Sequence, residues 1–336
     1  MSATPQATTP ASQPGTPQNT GQTTGQTTGQ DTARTTPQPP LARVRREEPR
    51  RRGRVPRAFY WMVVPAVVIF FVLHTIPVLT GMFFSLTNYA GYGNWSLVGF
   101  ANYLNLFQDS RVLNSYGFTF FFAVVSTILV NVISLAIALG LNANIKFRTA
   151  FRGIFFIPYV LAILIIGYVF NYLFANSFPA IAENLGLPAG NLLADPSFAW
   201  VGIVITTVWQ AAAFNVILYL AGLQTIPGEL YEAAAIDGAA SWRRFRSITF
   251  PLIGAYFTIN MVLSFKSFLQ VFDQIVALTN GGPGTSTESI AMVIYRGGFQ
   301  GGEYGYQMAN AVVYLVVIIL VSFIQLRFLQ RREASV

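Results

Sequence analysis

The chain has 336 residues, of which 53% are hydrophobic and only 10% are charged, and its formal net charge is +8. This composition is too apolar for an average soluble domain and predicts a membrane protein. The chain contains no cysteine and a single histidine, which excludes disulfides, thiol chemistry and a metal site built from clustered cysteine or histidine.

The N-terminal region differs from everything that follows it. Residues 1–40 are rich in Thr, Gln, Pro and Gly, a composition that buries too little apolar surface to fold. Residues 42–57 form a basic run that ends at the first apolar segment, and residues 1–58 together hold nine arginines against three acids. We therefore expect residues 1–58 to be a disordered, basic cytoplasmic tail next to a membrane segment, with no nucleic-acid binding.

Six stretches are apolar and long enough to cross ~30 Å of hydrocarbon. Such segments must be helical, because no water is present to bind open backbone groups. The predicted fold is therefore an all-α membrane protein with six transmembrane helices. The transmembrane domain is predicted to extend over residues 59–332. The predicted spans are Phe59–Phe84, Phe118–Leu139, Ile154–Phe174, Phe198–Leu220, Phe250–Phe272 and Ala309–Phe328.

Lysine and arginine concentrate in alternate connections between these spans. The N-terminal tail holds nine, the connections before the third and fifth spans hold three each, and the C-terminal end holds three, whereas the remaining connections hold one, none and one. Positive-rich segments of membrane proteins face the cytoplasm. This predicts a multi-pass protein whose N- and C-termini and 231–251 loop are cytoplasmic, with residues 85–117, 175–197 and 273–308 outside.

The connection between the fourth and fifth spans combines an acid-alanine run, an Asp-Gly turn and three arginines. Thr225 is predicted to cap a short helix that begins near Pro227, and Gly238 supplies the left-handed residue that ends it. A second short helix is predicted from Ser241, and Pro251 is predicted to open the next span. An ordinary solvated loop is the alternative interpretation.

The sequence EAAAIDGA at 232–239, with LAGLQTIP before it and ITFPLI after it, resembles the EAA loop of permease subunits of bacterial ATP-binding-cassette importers. FRGIFFIPY at 151–159 and FDQIVALTNGGP at 272–283 resemble the maltose-type carbohydrate branch, and the resemblance extends over residues 59–330. It implies a type I importer permease in which residues 225–251 couple to an ATPase. The implied coupling residues are Glu232, Ala233, Ala234, Asp237 and Gly238.

The resemblance implies a function and a set of partners. The chain would move a sugar, a di- or oligosaccharide, through a bacterial cell membrane into the cytoplasm by alternating access. A second permease subunit would complete a heterodimer with it, two ABC ATPase subunits would drive it, and an extracytoplasmic sugar-binding protein would deliver the solute.

ATP and Mg are expected on the partner ATPase, because neither Lys146 nor Lys266 lies in a phosphate-binding loop motif. We expect no cofactor, no metal and no catalytic residue in this chain. Three alternatives remain open: an ion-coupled secondary carrier, an importer permease for a non-sugar solute such as glycerol phosphate, and a membrane scaffold. The spans are almost free of carboxylates and show no internal repeat, which disfavours the carrier.

The resemblance also implies where the sugar binds. Sugars require aromatic faces for their C–H surfaces and amide or hydroxyl groups for their hydroxyls. Packing between helices is the alternative role for each residue. The implied contacts are Tyr159, Thr207, Gln210, Ala211, Phe214, Ser264, Ser267, Phe268 and Val271.

Two further features have two interpretations each. Lys266 lies inside a predicted span, where it would either face a cavity or a carboxylate such as Asp273, or extend toward the outer surface. The turn-rich segment Thr279–Ser289 would either contact the substrate-binding protein or serve as a plain connector.

Overall fold

The computed structural model describes residues 57–143, 146–186, 188 and 190–333. The predicted tail therefore lies outside the described residues, apart from its last two positions. Within the described ranges the chain is helical, with only one isolated antiparallel bridge between Thr87 and Leu97. Five helices of this described part are long and apolar enough to cross a membrane, or six if one bent pair counts as a span. The predicted all-α membrane fold is confirmed.

The helices fall into two length classes. The long ones are α1 (Arg57–Phe70, continued by Phe71–Thr75 and Ile76–Phe84), α3 (Ser110–Asn142), α5 (Ile163–Tyr172, continued by Leu173–Ser177 and Phe178–Asn184), α6 (Ala199–Leu223) and α12 (Tyr304–Glu333). The shorter ones are α2 (Ala101–Leu106), α4 (Arg148–Val160), α7 (Gly228–Ile236), α8 (Ser241–Arg244, continued by Phe245–Thr249 and Phe250–Leu252), α9 (Gly254–Leu269), α10 (Asp273–Leu278) and α11 (Ile290–Tyr295, continued by Arg296–Gln300).

Helices α3, α6 and α9 form the centre of the bundle. Burial covers 61% of the most apolar stretch of α6 but none of that of α1, so α6 is the inner helix and α1 presents its sides to the membrane. Polar groups join the central helices: the Tyr219 hydroxyl donates to Asn131 at 2.6 Å, and Asn215 Nδ2 donates to Ser264 at 2.8 Å. Such interhelical hydrogen bonds hold helices together where lipid provides no hydrophobic drive.

The third predicted span, Ile154–Phe174, is wrong as a single helix. The chain leaves the helical conformation at Leu161 and Ala162, whose ψ values are 140° and 134°. The carbonyl of Leu161 accepts a hydrogen bond from Gln210 Nε2 on α6 at 3.1 Å. Because α6 satisfies this open backbone group, the break is tolerated at membrane depth.

The fifth predicted span, Phe250–Phe272, also needs correction. Helices α8 and α9 meet at Ile253 with a bend of 70°. Pro251 lies at the start of the last segment of α8, and α9 begins at Gly254. Ile253 itself is fully buried, so packing against α3 and α6 fixes the corner.

Gly305 provides a test of the packing between α12 and the end of α1. Its N–H donates to the Tyr89 carbonyl at 2.7 Å, and a Cβ there would collide with the Thr87 carbonyl oxygen and lie 3.0 Å from that of Phe84. We expect Gly305→Ala to lower the free energy of unfolding by about 1–3 kcal/mol, as overpacking does. Thermal unfolding of the detergent-solubilised protein measures this.

Gly140→Ala on α3 is the matched control, because a Cβ at that position would meet no atom within 4 Å beyond the backbone of its own helix. That change should be neutral or stabilising, by about 0.5–1 kcal/mol, since alanine favours helix interiors. Equal melting temperatures for both variants would contradict the described packing.

Candidate functional site

The break between α4 and α5 opens a cavity of 580 Å³ that is also walled by α6, α9 and α10. The extended backbone at Leu161 and Ala162 forms one side of it, so the cavity exists because the helix stops there. Six of the nine predicted contact residues line this cavity: Tyr159, Thr207, Gln210, Ala211, Ser267 and Phe268.

Two α6 residues bring unpaired oxygens to the cavity. Thr207 and Gln210 are three residues apart and therefore share a helix face. Both are buried, and neither Thr207 Oγ1 nor Gln210 Oε1 has a hydrogen-bond partner in the described part of the chain. A buried polar atom without a partner costs about 1–3 kcal/mol. Each oxygen thus retains an unused acceptor site on a residue that lines the cavity.

An aromatic pair flanks these oxygens. The Tyr159 side chain is 50% exposed, and it stacks on Phe214 with ring centroids 5.4 Å apart and an interplanar angle of 23°. Phe268, in contrast, is buried and meets Phe122 edge to face at 6.1 Å. Tyr159 thus provides the open aromatic face, Phe214 supports it, and Phe268 closes the wall.

Ser264 and Val271 lie in the helix packing, outside the cavity. Ser264 Oγ accepts the hydrogen bond from Asn215, and Val271 is a buried core residue whose carbonyl accepts from Ser289 Oγ at 2.8 Å. The structure thus separates these two residues from the other predicted contacts. Nothing in the residue types distinguishes the two groups, because serine and valine serve both purposes in membrane helices.

Asp273 and Gln274 line the same cavity and are absent from the predicted set. Both begin α10 and lie within the FDQIVALTNGGP motif, which was the signal available in the sequence. Lys266 does not pair with Asp273: the ion pairs of the described residues involve only Arg111, Arg296 and Glu288. The Lys266 side chain is exposed, in the last turn of α9.

The short helix of the fourth connection, α7, begins at Gly228, next to the predicted start at Pro227. The predicted Thr225 cap is wrong. Its hydroxyl donates to the Gly222 carbonyl at 2.7 Å and so completes the end of α6. The N-cap position belongs to Pro227, which has no capping side chain.

The end of α7 follows the predicted pattern. Gly238 has φ of +70°, and its N–H donates to the Ala235 carbonyl at 3.1 Å while that of Ala239 donates to Ala234 at 2.9 Å. This pair of bonds is a Schellman motif, which satisfies the last carbonyls of a helix. Of the predicted coupling residues, Ala234 is buried, whereas the exposed surface consists of Glu232, Ala233, Asp237 and Gly238.

Apolar side chains extend this exposed surface. Ile236 is 87% exposed and Trp242 is 69% exposed. The Tyr231 and Thr249 hydroxyls share a hydrogen bond of 2.9 Å, which ties α7 to α8. Helix α7 is therefore held firmly at its base while an acidic and apolar outer face stays open.

Helix α6 links this surface to the cavity. Leu223, its last residue, is buried in a cluster with Leu141 of α3 and Ile253 at the α8–α9 corner. Gln210 lies thirteen residues earlier on the same helix, which corresponds to roughly 20 Å along the axis. A displacement of α7 would consequently be transmitted to the cavity by α6, which is a continuous and well-packed helix.

An ion cluster fixes Thr279–Ser289 at the opposite end of the bundle. Glu288 is 2% exposed and receives Arg111 Nε and Nη2 at 2.8 and 2.7 Å and Arg296 Nη1 at 3.3 Å. Arg296 Nη2 also donates to Asn280 Oδ1 at 2.8 Å. Burial alone would raise the pKa of Glu288, but the hydrogen bonds and charges of the two arginines outweigh it and lower that pKa.

Most of the chain is similar to permease proteins of transport systems. A family model described as "Binding-protein-dependent transport system inner membrane component" matches residues 131–334. The multiple sugar-binding transport system permease protein MsmF of Streptococcus mutans serotype c is 35% identical over 82% of this chain and 97% of its own length. The trehalose/maltose transport system permease protein MalF of Thermococcus litoralis is 34% identical over 80% of this chain and 92% of its own length.

A solved structure supports the fold. A chain of a bacterial ABC transporter involved in the import of the acidic polysaccharide alginate aligns with a TM-score of 0.73. The alignment covers 82% of this chain and 96% of that chain at 24% identity. At this identity the similarity establishes the helical architecture only.

The Glu288 cluster predicts a pH dependence of the Thr279–Ser289 loop. Because the folded-state pKa is lowered, the stabilisation is complete above the ordinary value of 4.5 and is lost as the pH falls below it. We expect hydrogen–deuterium exchange in this loop, corrected for the intrinsic rate, to accelerate at acidic pH. Glu288→Gln should show the faster exchange already at neutral pH.

Glu303→Gln is the matched control, because Glu303 is exposed and lies outside the ion cluster. It should leave the exchange of the loop unchanged. Identical loop protection in Glu288→Gln and the wild type at neutral pH would show that the cluster does not hold the loop.

Proposed function

Because the chain belongs to the family of binding-protein-dependent transport system inner membrane components, we propose that it is the permease subunit of an ABC importer for a di- or oligosaccharide. The observation that carries this proposal is a cavity lined by the exposed face of Tyr159 and by Thr207 and Gln210, whose side-chain oxygens have no partner in the described residues. Its 580 Å³ falls within the roughly 300–1,000 Å³ of small-molecule sites. The relatives named for multiple sugars and for trehalose/maltose support the same solute class.

The charge of the cavity favours a neutral solute. Among the described residues that line it, Asp273 alone carries a charge. A carboxylate repels a phosphorylated solute such as glycerol phosphate, whereas it accepts hydrogen bonds from sugar hydroxyls. A neutral sugar therefore suits this lining better than the non-sugar alternative, and the family membership disfavours an ion-coupled carrier.

ATP binding and solute delivery are assigned to partner proteins of this chain. We infer that two ABC ATPase subunits bind ATP and Mg, that a second permease subunit completes a heterodimer, and that an extracytoplasmic sugar-binding protein delivers the solute. The exposed face around Glu232, Asp237 and Ile236 is the proposed ATPase contact, since it is anchored to the bundle yet open to a partner. The ion-clamped Thr279–Ser289 loop is the proposed contact for the binding protein.

The basic residues support the proposed orientation in a bacterial cell membrane. Arg152 at the start of α4 shares a surface hollow with Gln224 at the end of α6, so the basic 146–152 segment lies at the α7 end of the bundle. Arg243, Arg244 and Arg246 of α8 also follow α7. Under the positive-inside rule this end faces the cytoplasm, together with both termini.

Transport follows from rigid-body movement between two packings. Closure of the ATPases on ATP would displace α7, and the buried Leu223–Ile253 contact would pass the displacement to α6 and α9. Both helices wall the cavity, so their tilt would change the side on which it opens. Such alternation between two discrete packings requires no chemistry in this chain.

Thr207 provides the direct test of the sugar site. Thr207→Val removes the hydroxyl at nearly constant volume, and one lost hydrogen bond of about 0.5–1.5 kcal/mol corresponds to roughly a 2- to 10-fold rise in the apparent KM for uptake. Uptake of labelled sugar by proteoliposomes that contain the assembled transporter gives this value.

Thr206→Val is its matched control. Thr206 is equally buried, but its hydroxyl donates to the Gly202 carbonyl within α6 at 2.9 Å and does not line the cavity. Its uptake should match that of the wild type. An unchanged KM in Thr207→Val, or the same rise in both variants, would refute the proposed sugar contact.

A further inference from the structure

A long apolar groove lies on the side of α6 opposite the solute cavity. It encloses 580 Å³ between α3, α4 and α6, and its lining consists of Leu, Ile, Val, Ala, Phe, Pro and Trp residues. On α6 its lining extends from Val204 to Val216, which gives a length of roughly 18 Å. That is close to one leaflet of a hydrocarbon core of ~30 Å.

At the α7 end the groove continues into a hollow of 430 Å³. Phe155, Ala213 and Val216 line both spaces, so the two form one channel. The hollow adds Arg152 and Gln224 to the otherwise apolar walls. An apolar slot of one-leaflet length therefore ends at a guanidinium group.

The Arg152 guanidinium lacks a counter-ion in the described part of the chain. Its Nε and Nη2 atoms are shielded from solvent and meet no hydrogen-bond acceptor there. Arg152 as a whole is half-buried, and a partly shielded charge without a partner is unfavourable, so this position favours an anion. The guanidinium fork matches the geometry of a phosphate, and the neighbouring Gly153 leaves open space.

We propose that this groove binds one anionic phospholipid from the leaflet at the α7 end, with its phosphate on Arg152 and an acyl chain along α3, α4 and α6. The occupant must be both an anion and apolar over a length of about one leaflet. A free phosphate meets only the first requirement. The combination of a shielded arginine and a carbon-lined slot specifies a phospholipid.

The position of this site connects it to the solute cavity. Pro158, Val208 and Ala212 line the groove, while the adjacent residues Tyr159, Thr207 and Ala211 line the cavity. The bound lipid would therefore contact α4 and α6 on the sides that face away from the solute cavity. Its occupancy can bias the packing of α4 against α6, because ligands shift equilibria toward the packing that they contact best.

Native mass spectrometry of the complete detergent-purified transporter tests lipid binding, with phosphatidylglycerol and phosphatidylcholine titrated separately. We expect one retained phosphatidylglycerol per copy of this chain. Arg152→Gln should need about tenfold more of this lipid for half occupancy, as the loss of hydrogen bonds to a charged group predicts, and Arg152→Lys should keep part of the affinity. Arg148→Gln is the control, because it removes the same charge from an exposed side chain.

Equal retention of phosphatidylglycerol by the wild type and Arg152→Gln, or equal losses in Arg152→Gln and Arg148→Gln, would overturn the proposal. A photo-crosslinking amino acid in place of Ile157, which lines the groove and is half exposed, tests the site with Arg152 intact. Crosslinks to phospholipid support the proposal. Crosslinks to a protein subunit would show that a partner chain covers the groove and would also overturn it.

Discussion

The hydrogen bond from Gln210 to the Leu161 carbonyl is the interaction on which the site depends. Inside a membrane every backbone polar group needs a partner, and an open carbonyl costs several kcal/mol. The Gln210 amide satisfies the carbonyl at the point where α4 stops and α5 begins. The break can therefore persist, and it creates the cavity wall. The same side chain lines the cavity, and its Oε1 has no partner in the described part of the chain.

The structure places a rigid frame around this break. Polar contacts from Asn131 to Tyr219 and from Asn215 to Ser264 join the central helices, and the Glu288 cluster fixes the outer loop. The α8–α9 corner at Ile253 packs on the end of α6. Movement imposed on α7 thus has a stiff path to the cavity. This division between rigid helices and an open α7 face is suited to a subunit that is moved by a partner.

Local patterns in the sequence predicted the features that are encoded locally. Long apolar runs predicted the spanning helices, and Gly238 predicted the end of α7. Hydropathy could not reveal the break at Leu161, because the apolar run continues through it and the satisfying Gln210 is 49 residues away. The Glu288 cluster was invisible for the same reason, since Arg111 is 177 residues distant. Thr225 met the pattern of a helix cap but bonds backward to α6.

The solute cavity was predictable only in part. The resemblance to sugar permeases selected residues on several helices, and six of the nine line one space. Phe214, Ser264 and Val271 do not line it, because sequence position alone cannot show whether a side chain faces a cavity or packs against a neighbouring helix. Asp273, which sets the charge of the lining, was not among the predicted contacts, because the FDQIVALTNGGP motif does not show which of its side chains face the cavity.

The role that we propose for α7 is to transmit the work of a partner ATPase to the cavity. The double variant Glu232→Lys/Gly238→Lys tests it most directly, because it reverses a charge on the exposed face and places a side chain at a φ of +70°. Co-purification of the ATPase subunits and sugar uptake by the assembled transporter are measured together. We expect weakened assembly and loss of uptake, whereas undiminished assembly and uptake would contradict this role of α7.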